Sequence, residues 1–312
     1  AHSHVTRNPD LMNALDGART VGEPIDVQLV ERVPVDRRIA VIVSRLTAVG
    51  AASTLPALLV TFRDLSEQDR LDQMRADFVA NASHELRTPL ASLRGFVETL
   101  QGPAREDAAA RERFLGLMAS QAVRMSRLID DLLSLSRVEM RAHLAPRGIV
   151  DLNEVVAYVR QTLEPLARTD AVEIEVHELA GAARIRGDRD EIVQVVQNLM
   201  QNAIKYGRNG GRVEVQIARS EARGGNPARL TLAVVDDGPG IAPEHLPRLT
   251  ERFYRVSAAS SREKGGTGLG LAIVKHIVVR HRGEFRITSQ LGAGSRFATE
   301  FEELGAESAV LK

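Results

Sequence analysis

At 312 residues, with 44% hydrophobic and 26% charged side chains, the chain is long enough for two or three domains with real cores. Its 41 basic residues balance 41 acidic ones, so no global field draws it to nucleic acid or anionic lipid, and neither is an expected partner. The absence of cysteine removes disulfides, thiolate metal sites and cysteine nucleophiles together, and suits a reducing cytoplasm.

Residues 1–65 read as a small mixed region. A short helix runs from Asn8 to Ala18, Gly22 and Pro24 follow, and Val, Ile and Leu then cluster in strands near 25–33, 37–47 and 57–63. The uncharged run from Leu46 to Phe62 is too short to cross a bilayer and is interrupted by Gly50, Ser53, Thr54 and Pro56, so no membrane segment is expected. So short a segment reads as the second half of a domain. The first residue is Ala rather than Met, and a fragment or processed chain is expected.

From residue 66 the hydrophobic period changes. Leu71, Met74, Phe78, Ala82, Leu86, Leu90, Leu93, Val97 and Leu100 recur by threes and fours, one apolar stripe on a helix. Gly102 and Pro103 end it, and a second stripe runs from Phe114 to Leu135. A helical hairpin over 66–140 buries only part of each stripe, so two copies pairing into a four-helix bundle, a homodimer, complete it. A linker at 141–149 contains Pro146 and Gly148, and residues 150–303 then alternate helices (near 151–168, 188–206 and 268–281) with strands (near 172–177, 183–186, 212–219, 229–236, 284–289 and 295–301). That pattern predicts an α+β domain with helices over one face of a mixed sheet, followed by a tail at 304–312. The stretch 237–267 is long, rich in Gly, Pro and Ser, and reads as a functional loop or lid.

The chemistry concentrates in a few runs. In Ser83-His84-Glu85-Leu86-Arg87-Thr88-Pro89-Leu90, the imidazole of His84 lies beside the stripe at its solvent edge. Glu85 can hold one ring nitrogen as N–H and leave the other nucleophilic, and Thr88 sits one turn on along the same face. Pro89 has no N–H for the carbonyl of Glu85, which predicts a kink beside the histidine. Asn198 and Asn202 stand four apart on one helix, with Lys205 and Tyr206 following. Lys205 is notable because only four basic residues are lysines (Lys205, Lys264, Lys275 and Lys312). Asp236-Asp237-Gly238-Pro239-Gly240 follows an apolar strand, and Gly266-Thr267-Gly268-Leu269-Gly270 opens a helix whose free N–H groups suit phosphate. The first of these is equally a tight turn when read alone.

The octet around His84 resembles the phosphoacceptor motif of bacterial two-component sensor histidine kinases, and the resemblance extends in order over residues 66–303. The asparagine helix, the Asp236 motif, Phe253-Tyr254-Arg255, the Gly266–Gly270 run and Gly292-Ala-Gly294-Ser-Arg-Phe297 all match that family's pattern. The resemblance implies a dimeric four-helix bundle joined to an α/β-sandwich ATP-binding domain of the gyrase, Hsp90 and histidine kinase type. It implies ATP and Mg²⁺, with Asn202 on the metal, Asn198 and Lys205 on the phosphates, and Asp236 on the adenine amino group. Gly238 and Gly240 admit the nucleotide, Phe253 lies in the lid, and Arg255 and Lys264 neutralise charge. Tyr206 and the Gly266, Thr267, Gly268, Leu269 and Gly270 run complete the nucleotide set.

By the same resemblance His84, Glu85 and Thr88 carry the phosphoryl chemistry, with a response-regulator receiver domain as partner and phosphatase activity on that regulator through Thr88. Residues 1–65 are similar to the close of a PAS sensor domain, and the octet and asparagine helix are similar to phosphate-regulon sensor kinases. A cytoplasmic piece of a protein anchored in the inner membrane upstream is implied. The competing readings are an inactive scaffold that keeps the fold and a stand-alone ATPase that does not label itself.

Overall fold

The computed structural model describes residues 8–21, 23–31, 37–46, 57–221, 227–257 and 266–304. Two compact units divide the chain, one ending at Ser83 and one beginning at His84.

In the first unit, helix α1 (Pro9–Val21) packs on an antiparallel sheet of β1 (Ile25–Glu31), β2 (Arg37–Leu46) and β3 (Ala57–Asp64), in that order. Leu11, Ala14 and Ala18 share one face of α1 and meet Leu29, Val41 and Val43, which the period-2 pleat turns to the same side. Val41 stands opposite Val27 on one neighbour and Phe62 on the other. Helix α2 (Ser66–Gln101) starts where the Asp64 carboxylate accepts from the Ser66 N–H at 2.8 Å.

In the second unit α2 continues through the buried Pro89 to Gln101 as one helix, and α3 (Ala108–Met140) returns after the expected break at Gly102. Asp107 caps α3 by accepting from the Ala110 N–H at 2.9 Å. Phe96 and Phe114 hold the turn of the hairpin together, their rings 5.5 Å apart.

The remaining elements form the α/β layer. Strand β4 (Ile149–Asp151) pairs with β6 (Arg184–Arg186), a short ribbon in what reads from sequence as the end of a linker. Strands β5 (Glu173–His177), β7 (Arg212–Ser220), β8 (Arg229–Asp236), β9 (Glu284–Gln290) and β10 (Gly294–Glu302) form a mixed sheet of order β5-β7-β8-β10-β9, with only β5 and β7 parallel. Helices α4 (Leu152–Thr169), α5 (Arg189–Tyr206) and α6 (Gly270–Arg280) pack on one another and on this sheet. Their apolar stripes, including Val156, Leu163, Leu199 and Ile273, meet Val215, Leu232, Val234 and Phe297 in a closed core. Each such side chain fully removed from water contributes about 1.5–3 kcal/mol before entropy is charged against it. Apart from β4, the sequence places these helices and strands to within two residues, because both periodicities are strong there.

Candidate active site

Helix α5 supplies one wall of the site. Asp188 caps it by accepting from the N–H groups of Asp190 and Glu191, which sets its register. One face then buries Val195, Leu199 and Met200, and the neighbouring face carries Asn198, Asn202, Lys205 and Tyr206 towards a cavity of about 500 Å³. That volume lies in the range of nucleotide-sized pockets. Asp236 closes the far end of β8, Gly240 follows it, and Gly266, Thr267, Gly268 and Gly270 line the mouth where α6 begins.

Two glycines are there for backbone reasons. Gly240 has φ of +72°, and a Cβ on it would lie 2.0 Å from the Gln290 carbonyl oxygen. Gly268 has φ of +74° and presses on the backbone of Phe253, whose N–H donates to the Gly268 carbonyl at 2.8 Å. Phe253 is itself left-handed at φ of +64°, a strained conformation for an aromatic residue, and the bond to Gly268 holds it there. The lid segment after β8 is thus clipped to the loop before α6. It contains a 3-10 turn, Pro243–Arg248, within a stretch whose sequence predicts only a loop. From that turn His245 Nδ1 meets the Tyr254 hydroxyl at 2.7 Å, and the Arg248 guanidinium lies 4.3 Å over the Tyr254 ring.

The charges in the cavity are under strain of a different kind. Asp236 is 7% exposed, and burial pushes its carboxyl above the ordinary carboxylate range against hydrogen bonds from the backbone of Gly238 and Ser295. Burial, with Arg127 adding to it, pulls Lys205 below the ordinary amine range, while Asp131 and Asp170 oppose the shift. The Nδ2 of Asn198 and the Nε of Arg255 are buried donors with no hydrogen-bond partner among the described residues. A cavity that leaves two donors unsatisfied beside a lysine and offers a buried carboxylate at its far end matches an anionic ligand with a hydrogen-bonding base.

Most of the residues singled out from sequence meet here. Asn198, Asn202, Lys205, Tyr206, Asp236, Gly240, Arg255, Gly266, Thr267, Gly268 and Gly270 line the cavity. Gly238, Phe253 and Leu269 do not line it. Gly238 donates to Asp236 at 3.0 Å and packs on the backbone of Gly207, Phe253 serves as the clip just described, and Leu269 is buried under α6. Lys264 lies outside the described residues.

His84, Glu85 and Thr88 stand on α2 and do not line the cavity. The side chain of His84 is exposed, and the Thr88 hydroxyl donates back to the His84 carbonyl at 3.2 Å. The Glu85 carboxylate accepts from Arg124 at 3.3 Å and from Arg255 at 3.0 Å; among the described residues no hydrogen bond joins it to the ring of His84. Further lining residues lie outside the motifs read from sequence, among them Arg127 and Asp131 from α3 and Gln194 and Gln197 from α5. Only a non-local contact marks them, such as the 2.6 Å bond from the Thr267 hydroxyl to the Asp131 carboxylate.

Comparison with known proteins agrees with this layout. Residues 74–141 match the His Kinase A (phospho-acceptor) domain family, and residues 187–304 match the histidine kinase-, DNA gyrase B- and HSP90-like ATPase family. The chain is 39% identical over 245 residues to the phosphate regulon sensor protein PhoR of Pseudomonas aeruginosa, covering 78% of this chain and 53% of that protein. It is 38% identical over 245 residues to the sensor-like histidine kinase SenX3 of Mycolicibacterium smegmatis, covering 78% and 62% respectively. The structure of the Acinetobacter baumannii histidine kinase AdeS superposes with a TM-score of 0.55 at 27% identity, over 71% of this chain and 98% of that one. The chain spans 53% and 62% of the length of the two curated relatives.

Proposed function

Because the chain belongs to the two-component sensor histidine kinases, we propose that it moves the γ-phosphate of ATP to His84 and then to an aspartate of a response-regulator receiver domain. The observation that carries this reading is an exposed His84 in the same compact unit as a cavity walled by Asn198, Asn202, Lys205 and Asp236. Residues 66–140 act as the phosphotransfer hairpin, 150–303 as the ATP-binding domain, and 141–149 as the hinge between them. Residues 1–65 form the end of a sensor segment.

In this reading the Asp236 carboxylate accepts from the adenine amino group, and the unpartnered amide of Asn198 and the Lys205 ammonium hold phosphate oxygens. The amide oxygen of Asn202 is the hard ligand that would hold Mg²⁺, and the ion would supply positive charge to offset that of the phosphates. A lone pair on the free ring nitrogen of His84 attacks the γ-phosphorus in line, the bond to the bridging oxygen breaks, and ADP leaves. The proton on the other ring nitrogen passes to Glu85, which must first exchange Arg124 and Arg255 for the imidazole. Arg255, so released, is free to face the transferred charge. The receiver carboxylate then attacks phosphorus, the P–N bond breaks, and the ring recovers its proton. Positioning and charge neutralisation supply most of the acceleration.

The hairpin also supports a homodimer. Leu90, Leu115, Val123 and Leu133 are each about half exposed on α2 and α3, an apolar surface that a second copy would cover in a four-helix bundle. No helix among the described residues is long and apolar enough to cross a membrane. The similarity to PhoR supports a sensor of the phosphate-regulon type.

Pulse-chase labelling tests the relay. The chain is labelled with γ-labelled ATP, freed of nucleotide and mixed with a phosphate-regulon receiver domain. Label should move to the receiver, and a receiver lacking its acceptor aspartate should leave it in place. Thr88→Ala should keep the transfer and lose the later release of inorganic phosphate. Label that stays on the kinase with an intact receiver contradicts the relay to that partner.

A further inference from the structure

Helix α3 reaches the nucleotide cavity with Arg127 and Asp131. The Asp131 carboxylate accepts from the Thr267 hydroxyl at 2.6 Å and lines the same wall as Lys205 and Arg127. Thr267 is itself buried and belongs to the loop that opens α6; its oxygen also accepts from the Leu269 N–H at 3.3 Å. We propose that Asp131 and the phosphates of ATP compete for this corner of the cavity, so that docking of α3 on the catalytic layer lowers nucleotide affinity. The proposal rests on the reading that the cavity takes ATP.

Three observations carry it. The first is charge: a carboxylate aimed at the lysine and the helix start that would hold phosphate adds repulsion and occupies a donor that phosphate needs. Burial pushes this carboxyl above the ordinary range, with the Thr267 bond and Arg127 opposing the shift, so the contact is made by a desolvated group.

The second is that Asp131 does not act alone. Leu128, Leu135 and Val138 are buried on the same side of α3, and the polar residues between them fasten it. Ser134 donates to Gln194 on α5 at 2.7 Å. The Glu139 carboxylate, two turns beyond Asp131, accepts from Arg252 at 2.5 Å and lies 3.5 Å from Nε2 of His276 on α6. Arg280 donates to the Arg141 carbonyl at 3.1 Å. The docked face is thus continuous from the cavity to the end of α3.

The third is that this face and the loop before α6 hold Arg252 and Phe253, which lead directly to Tyr254 and Arg255 in the cavity lining. Docking therefore constrains the backbone that places Tyr254 and Arg255 at the cavity. Two ligands of one surface that exclude each other are coupled reciprocally.

Calorimetric titration of the full chain with the non-hydrolysable analogue AMP-PNP and Mg²⁺ tests this. Asp131→Asn removes the charge inside the cavity, and Glu139→Ala weakens the same docked face at a point outside the cavity lining. Both variants should bind about fivefold tighter than wild type or better, the lower end of ordinary allosteric coupling. Unchanged or weaker binding in Asp131→Asn overturns the competition. Tighter binding in Asp131→Asn with unchanged binding in Glu139→Ala also overturns it, because the effect would then be local repulsion without docking. Asp236→Asn separates the two readings. If wild type binds AMP-PNP and this variant does not, the nucleotide site stands whatever Asp131 does; if wild type fails to bind, both readings fall.

Discussion

His281 has no exposed side-chain surface, and both of its ring nitrogens are committed. Nδ1 lies 2.8 Å from the Ile277 carbonyl and must donate to it, which leaves Nε2 to accept from the Asp188 N–H at 3.0 Å. Protonating Nε2 would set two donors against each other at the start of α5. Burial accordingly lowers the pKa of this ring, against the Ile277 carbonyl and Glu191, and burial lowers that of His276 against Glu139. When a folded-state value lies below the ordinary 6.5, the unfolded chain takes up protons first as pH falls. The stability these rings confer is present above that value and is lost as pH drops through the window beneath it. Urea midpoints should therefore fall between about pH 7 and about pH 5, and His276→Gln should reduce the slope. A midpoint independent of pH over that range contradicts the assignment. A second residue-scale case is Gly240→Ala. With φ of +72° and a carbonyl oxygen 2.0 Å from the new Cβ, it should cost about 1–3 kcal/mol and weaken nucleotide binding, read by urea denaturation and titration.

At the scale of elements, helix starts and stops are local chemistry, and so they were legible. Gly102 and Pro103, which follow α2, are a stop signal within a few residues of what they control. Asp188→Ala should cost about 1 kcal/mol in a urea titration, since it frees two N–H groups. The short strand β4 was not legible: three residues have no period, and only pairing with β6 makes them a strand. The 3-10 turn Pro243–Arg248 was hidden for the same reason inside a polar stretch. The site itself divided along this line. Asn198, Asn202 and Lys205 could be read because helical spacing alone puts them together. Asp131 could not, because its partner Thr267 is 136 residues away and the stripe of α3 gives no hint of what its flank will meet. Glu85 was read as a partner of the adjacent His84, and two arginines from elsewhere in the fold claim it.

For the whole molecule, the proposed activity needs two things that a single static arrangement does not combine. The hairpin must have a second copy, and the catalytic layer must leave α3 to bring phosphate to His84. The first predicts a particle of twice the 34.0 kDa chain mass in sedimentation, reduced to one chain by Leu90→Glu with Val123→Glu. A monomeric wild type at micromolar concentration contradicts it. The second makes Asp131, Glu139 and the Glu85–Arg255 pair contacts that are broken in each cycle.

The measurement that bears most directly on the account is incubation with γ-labelled ATP and Mg²⁺ of the wild type, His84→Gln and Asn202→Asp. Label on the wild type that is labile to acid, stable to alkali and absent from both variants is the predicted result. Label persisting in His84→Gln contradicts the account, since the acceptor would then be another residue.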